Sequence, residues 1–217
     1  RFAGKNDGGE LSRQIFVEDR VKTQNSTTIY TIDAIHTAIN ENRMISFKYF
    51  DYNSRGEKVN RHGGALYTVS PIALIWSDEN YYLISYDEAA GVKKHFRVDK
   101  MTALSLVDRE RSSVAVRERF NPAEYSKKVF GMYGGEEALV TLECKEKLAG
   151  VVIDRFGNDV RLRECAEGFR VTVRVMISPN FFAWVLEFGK DMKIVSPTHV
   201  ADMLIAHLNE IKKIYEV

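Results

Sequence analysis

A chain of 217 residues with 45% hydrophobic and 28% charged side chains has the composition of an ordinary globular protein, long enough for one or two cored domains. No apolar run approaches the roughly 18 residues of a membrane span, so no membrane partner is expected. The net charge of +1, from 31 basic and 30 acidic residues, argues against a surface given over to duplex DNA, and any nucleic-acid contact has to rest on a local patch.

No charged-then-apolar leader is present, and Cys144 and Cys165 form no close-spaced motif, which together fit a reducing, cytoplasmic setting. Without an export signal the sequon Asn25-Ser26-Thr27 reads as chance, and Arg1 in place of Met points to a fragment or a processed chain. His36, His62, His95, His199 and His207 never pair at metal-ligand spacing. Walker and Rossmann glycine loops and nucleophile elbows are missing too, so neither a metal, a cofactor nor an enzyme activity is expected.

In chain order, residues 1–28 are polar, with Gly8-Gly9 and a run of small polar residues at 24–28, and read as a linker ending in one short element. Ile32, Ile35, His36 and Ile39 recur at spacings of three and four, which predicts a helix of about eleven residues from Thr31 that Asn42 ends. Residues 44–52 alternate as a strand, with Ile45, Phe47 and Tyr49 on one face and Ser46, Lys48 and Phe50 on the other. A turn at 53–56 leads to a second strand at 58–62, and Gly63-Gly64 bends the chain into residue 67. Residues 67–98 form three more strands, joined by turns at 76–80 and 87–92. A helix followed by about five short strands, with no room for a crossover helix, predicts an antiparallel barrel of SH3 or Sm type or an open meander.

A charged stretch at 108–119, Asn121-Pro122 and the break at Met132-Tyr133-Gly134-Gly135 place a linker with few buried contacts within 112–136. Beyond it come a strand at 138–144, a helix at 145–155 and paired strands at 160–165 and 169–176. A helix follows Ser178-Pro179, then a strand at 192–195 and a last helix after Ser196-Pro197 with the stripe Val200, Leu204, Leu208, Ile211 and Tyr215. This order predicts a ferredoxin-like α/β sandwich, in which Phe181, Phe182, Trp184 and Phe188 are core. The whole chain is then of the α+β class.

The residues with chemical content are cations interleaved with aromatics. Arg55, Lys58, Arg61 and His62 lie on one hairpin, Lys93, Lys94, His95, Arg97 and Lys100 around another, with Tyr49, Tyr52, Trp76, Tyr81, Tyr82 and Tyr86 between. Cations can hold phosphate oxygens while rings stack on bases. Plainer roles stand beside this: Lys93-Lys94 as a solvated hairpin edge, and Trp76, Tyr82 and Tyr49 as core or rim packing. Arg97 lies between Phe96 and Val98, so alternation turns it to the opposite face with His95, either paired with Asp87 or Asp99 or offered to an anion.

The series Ser70-Pro71, Trp76, Tyr82-Leu83, Tyr86-Asp87 and Phe96-Arg97-Val98-Asp99 resembles the WYL domain, a ligand-sensing module of bacterial transcriptional regulators. Phe182, Trp184, Leu186-Glu187-Phe188-Gly189 and Pro197 resemble the WCX extension that commonly follows it. The resemblance implies a linker at 1–28 from a missing N-terminal helix-turn-helix domain, a small SH3/Sm-like barrel at 29–111, a linker at 112–136 and a WCX-like domain at 137–217. It further implies a basic cleft for a nucleic acid or nucleotide effector. Arg97 matches the arginine of the family's FR(V/L)D motif, and Arg61 matches the one before the Pro-containing strand, with the extra residues 62–68 between. The candidate ligand-binding set is therefore Tyr49, Arg61, His62, Trp76, Tyr82, Tyr86, His95 and Arg97. The chain is expected to be the effector-sensing and dimerising part of a regulator, a homodimer that meets operator DNA through the missing domain. A structural oligomerisation module without a ligand is the alternative.

Overall fold

The computed structural model describes residues 28–117 and 120–216, so the expected linker at 1–28 lies outside the described residues except for Thr28. Helix α1, Thr28–Asn40, includes that residue and begins three positions before the predicted Thr31; it buries Ile35 and Ala38. The chain then turns at Asn42, which has a left-handed φ of 56°. The Asn42 carbonyl accepts from the Arg111 backbone N–H at 3.0 Å and its Oδ1 from Arg111 Nε at 3.2 Å, tying the start of the first sheet to its end.

Strand β1, Arg43–Tyr52, keeps the predicted Ile45, Phe47 and Tyr49 face in the barrel core. Its other face is buried too, at Met44, Ser46 and Phe50. Strand β2, Lys58–Asn60, is shorter than the predicted 58–62, because Arg61–Gly64 form a 3-10 turn in which His62 (φ 51°) and Gly63 (φ 62°) leave the extended region. Strand β3, Tyr67–Ser77, and β4, Asn80–Asp87, are joined by two residues, Asp78 and Glu79, both with positive φ. That tight hairpin twists with the strands it joins and keeps Trp76 inside the ladder opposite Tyr81, where a longer turn was expected.

Strand β5, Val92–Arg97, passes through the 3-10 turn Val98–Lys100 into β6, Met101–Glu110, a sixth strand beyond the five predicted. A bulge hides it from a period-2 reading. Ser46 pairs with Ser105 and Lys48 with Thr102, and Ala103 sits between them at φ 52°. The strand order is β2-β1-β3-β4-β5, with β6 also paired to β1, a curled antiparallel half-barrel after α1.

Residues 112–136 are more than a linker. They form helix α2, Ser113–Arg117, and helix α3, Pro122–Lys128, which Asn121 Oδ1 caps by accepting from Ala123 and Glu124 N–H at 3.1 and 3.3 Å. Ala115, Tyr125, Val129 and Met132 from this segment pack on Ile72, Ile75 and Ile84 of the half-barrel, while Phe130 enters the core of the following domain. Apolar residues spaced for helices too short to show a period account for the difference.

The second domain runs β7 (Glu136–Cys144), α4 (Ala149–Phe156), β8 (Leu162–Cys165), β9 (Gly168–Ile177), α5 (Pro179–Glu187), β10 (Met192–Ser196) and α6 (Thr198–Tyr215). Its sheet order β10-β7-β9-β8, antiparallel throughout, is the ferredoxin-like arrangement the element order predicted. Ser178 Oγ caps α5 by accepting from Phe181 N–H at 3.2 Å, and Phe181 and Phe182 are core, with Trp184 and Phe188 packed against them. No helix among the described residues is long and apolar enough to cross a membrane.

The entry into β7 passes close to β9. A Cβ on Gly135 would lie 1.9 Å from the Ile177 carbonyl oxygen and 2.9 Å from its carbon, both backbone atoms with little room to yield. Gly135→Ala is expected to destabilise the protein by about 1–3 kcal/mol, the usual cost of overpacking, read as a lowered denaturant midpoint.

Candidate functional site

The register of β4 with β5 builds the site. Tyr82 pairs with Arg97, Ile84 with His95 and Tyr86 with Lys93, so these six side chains share the outer face of one hairpin, while Leu83 and Phe96 turn into the barrel core. The chain between the domains covers part of this face. Tyr125 Oη and His95 Nε2 are hydrogen bonded at 2.6 Å, and Ile84, Tyr125, Val129 and Met132 form one apolar cluster around them.

Beside the covered part a cleft of about 630 Å³ remains open. Tyr49, Tyr67 and Tyr82 supply its aromatic surface, Arg61, Lys93, Lys94, Arg97 and Lys100 its cations, and Gly131, Met132, Tyr133 and Gly134 its far wall. No Asp or Glu lines it. The carboxylates stand behind the cations and orient them. Asp99 takes Arg97 in a bidentate grip, Nε to Oδ1 at 3.0 Å and Nη2 to Oδ2 at 2.7 Å. Asp51 takes Lys100 at 2.6 Å and also Arg61, and Asp87 takes Lys94 at 2.7 Å.

These contacts set the charge states. The hydrogen bond from Lys100, with Arg61 adding to it, holds the Asp51 carboxyl below its ordinary value. Lys94 does the same for Asp87, and Asp99 stabilises the Arg97 guanidinium further. Burial pushes Tyr49 up to about 12 and raises Tyr82, so both stay neutral phenols. Tyr49 Oη accepts from the Arg97 backbone N–H at 3.1 Å, and its ring lies 5.3 Å from the Arg61 guanidinium carbon.

Six of the eight candidate residues line the cleft: Tyr49, Arg61, His62, Tyr82, His95 and Arg97. Trp76 does not. It follows buried Ile75 near the hairpin tip, is 59% exposed, and packs edge-on against Tyr81 with ring centroids 4.6 Å apart. Tyr86 shares the hairpin face but is packed against the cluster around Tyr125. The two alternatives for Arg97 are both present, since it pairs with Asp99 and also faces the cleft. Tyr67 and the wall at 131–134 were not among the candidates. The wall's signal was the break at Met132-Tyr133-Gly134-Gly135, which composition alone marks only as a turn. Among the described residues no group of three or more His, Cys, Asp or Glu could hold a metal ion.

Residues 30–106 match the WYL domain, and residues 136–211 match the WCX domain. The chain therefore carries a WYL domain followed by a WCX domain. Among solved structures, the chain is similar to proteasome accessory factor B/C (PafBC) of Arthrobacter aurescens, at 22% identity and TM-score 0.37 over 96% of this chain and 30% of that one. It is also similar to a CRISPR Cas-related protein, at 17% identity and TM-score 0.47 over 87% of this chain and 52% of that one. The chain thus spans between about a third and about a half of the length of these two neighbours. The comparison with curated proteins gives no match.

Within the WYL half-barrel, His95 ties the cleft to its cover and does so uncharged. Burial, with the Lys93 ammonium adding to it, lowers its pKa from 6.5 to about 4. Between these values the unfolded chain binds a proton that the folded protein does not. The stability is therefore full above pH 6.5 and lost as pH falls toward 4, by on the order of 3 kcal/mol for this group. Denaturant unfolding across that window is expected to show the decline, and His95→Gln to flatten it relative to the parent.

Proposed function

We propose that this chain is the effector-sensing and dimerising region of a bacterial transcriptional regulator, and that the cleft binds a nucleic acid or nucleotide-like anion. The observation that carries the reading is the set of five cations facing one aromatic-lined cleft while their carboxylate partners stay out of its lining. The Asp99 grip uses the Nε and Nη2 side of Arg97, leaving the Nη1 end of the fork toward a ligand phosphate. Tyr67 and Tyr82 offer rings for base stacking, and the volume lies in the range of small-ligand sites. On this reading the protein is not an enzyme. Residues 29–111 sense, 112–136 connect and 137–217 pair two copies. A DNA-binding domain in the full regulator would read the operator, and the effector would act by preferring one arrangement of the dimer.

The apolar side of α6 supports the dimer. Leu208, Ile211, Ile214 and Tyr215 are exposed in its second half, with Met203 and Ile205 before them. A second copy covering this helix would remove that surface from water, and two-fold pairing suits a reader of palindromic sites. The same helix would serve a ligand-free oligomerisation module, the alternative reading.

Titration with short single-stranded oligonucleotides and with mononucleotides at two salt concentrations separates the two readings. Saturable binding that weakens with salt is expected, and its absence favours the module. Arg97→Ala should weaken binding by about 1.5–3 kcal/mol, with Arg97→Lys restoring only part of the loss. A melting transition on the same variant checks the fold, and a large stability loss with unchanged binding per folded molecule would remove Arg97 from the site. Sedimentation at tens of micromolar, corresponding to about −6 kcal/mol of association, should show a dimer that Leu208→Glu with Ile211→Glu dissociates.

A further inference from the structure

Helices α4 and α5 pack on one face of the second sheet; on the other, Met176 at one end meets the segment between the domains, and the far end is open. Along β9, Arg170, Thr172 and Arg174 are exposed between buried Phe169, Val171, Val173 and Val175. The pairing registers align one row on this open face across all four strands. Lys193 of β10 lies opposite Glu143 of β7, Glu143 opposite Arg170 of β9, and Arg170 opposite Arg163 of β8. The row holds three cations and one carboxylate. Both oxygens of Glu143 are occupied, Oε1 by Lys193 at 2.6 Å and Oε2 by Arg170 Nε at 2.7 Å.

Arg163 therefore faces another arginine across the strands with no carboxylate of the row left for it, and directly opposed like charges are unfavourable in a sheet. Two residues earlier, Arg161 adds a further cation to the same depression, which measures about 670 Å³. Among the described residues neither the Arg161 nor the Arg163 side chain has an ion-pair or hydrogen-bond partner. The next row of the face carries two hydroxyls, Thr141 and Thr172, with Oγ1 atoms 2.9 Å apart. Asp159 and Glu164 also line the depression, and Asp159 reaches Lys127 at 3.4 Å.

We propose that this open face is a second anion-binding surface, separate from the cleft, that follows the phosphodiester backbone of a nucleic acid. Arginine forks suit phosphate oxygens, and a phosphate between Arg163 and Arg170 would relieve their opposition. The row from Lys193 to Arg163 crosses three strand spacings, about 14 Å, long enough to follow several phosphates at about 3.4 Å axial rise per strand. The depression has no aromatic side chain in its lining, so bases have nothing to stack on and contact is with phosphate and sugar, without sequence preference.

The test uses the full chain and fluorescence anisotropy with a labelled oligothymidine and a labelled random duplex, at about 50 and about 200 mM NaCl. Arg161→Ala with Arg163→Ala should lower single-strand affinity about tenfold at the lower salt, and reduce the slope of log affinity against log salt by about 1.4, two phosphates at about 0.7 each. Arg163→Glu should weaken binding more than Arg163→Ala. The losses should add to that of Arg97→Ala, and mononucleotide binding in the cleft should be unchanged. Three outcomes overturn the proposal: unchanged affinity and slope in a double variant that melts like the parent, loss of the effect in the Arg97→Ala background, or Arg163-dependent binding to phosphatidylglycerol vesicles in preference to both nucleic acids.

Discussion

The contact between His95 and Tyr125 fixes where the barrel ends and the cleft begins. The outer face of β4 and β5 carries an apolar middle at Ile84 and polar ends, and the residues that follow the barrel bury that middle under Tyr125, Val129 and Met132. Burial on this scale is worth far more than the single hydrogen bond, which instead sets register by joining the two polar groups at 2.6 Å. Once the cover is seated, Gly131 to Gly134 stand opposite Arg97 and Tyr82 as a wall. A Cβ at Gly134 would lie 3.4 Å from the His95 ring, an ordinary van der Waals contact, so the wall stands directly beside His95.

The charges of the cleft follow a consistent division. Each carboxylate sits behind the rim and holds one or two cations, so Arg97, Lys94, Lys100 and Arg61 are oriented before any ligand arrives. Exposed pairs of this kind add little to stability, since solvent screening and side-chain entropy offset most of the attraction. Their effect is on geometry. A guanidinium already gripped on one side loses less freedom on meeting a phosphate than a free side chain would, which is the advantage of preorganisation.

The same covering segment joins the two cores. Phe130 belongs to the second core, where Arg155 lies 4.0 Å over its ring and donates to the Val129 carbonyl at 2.7 Å. Two residues on, Met132 belongs to the cluster on the half-barrel, which also touches Met176 of the second sheet. Gly131 between them approaches Asn180 so closely that a Cβ would lie 2.2 Å from its side-chain nitrogen. The cleft wall is thus braced from both domains.

Local pattern carried much of this molecule. Alternation assigned the core face of β1 and set Arg97 opposite Phe96 and Val98, because a strand's two-residue period needs no tertiary information, but it did not show that the second face of β1 is covered as well. Ser178-Pro179 marked the start of α5 for a similarly local reason, a capping hydroxyl and a proline that needs no N–H. Six of the eight candidate cleft residues follow from those faces and from the family motif. What depended on distant partners was not legible. The bulge at Ala103 broke the period of β6, and Trp76 left the cleft because a two-residue turn carried its strand to the tip of a hairpin. Tyr86 and the wall at 131–134 were decided by where the segment after the barrel lands, and that position is set by burial against two cores at once.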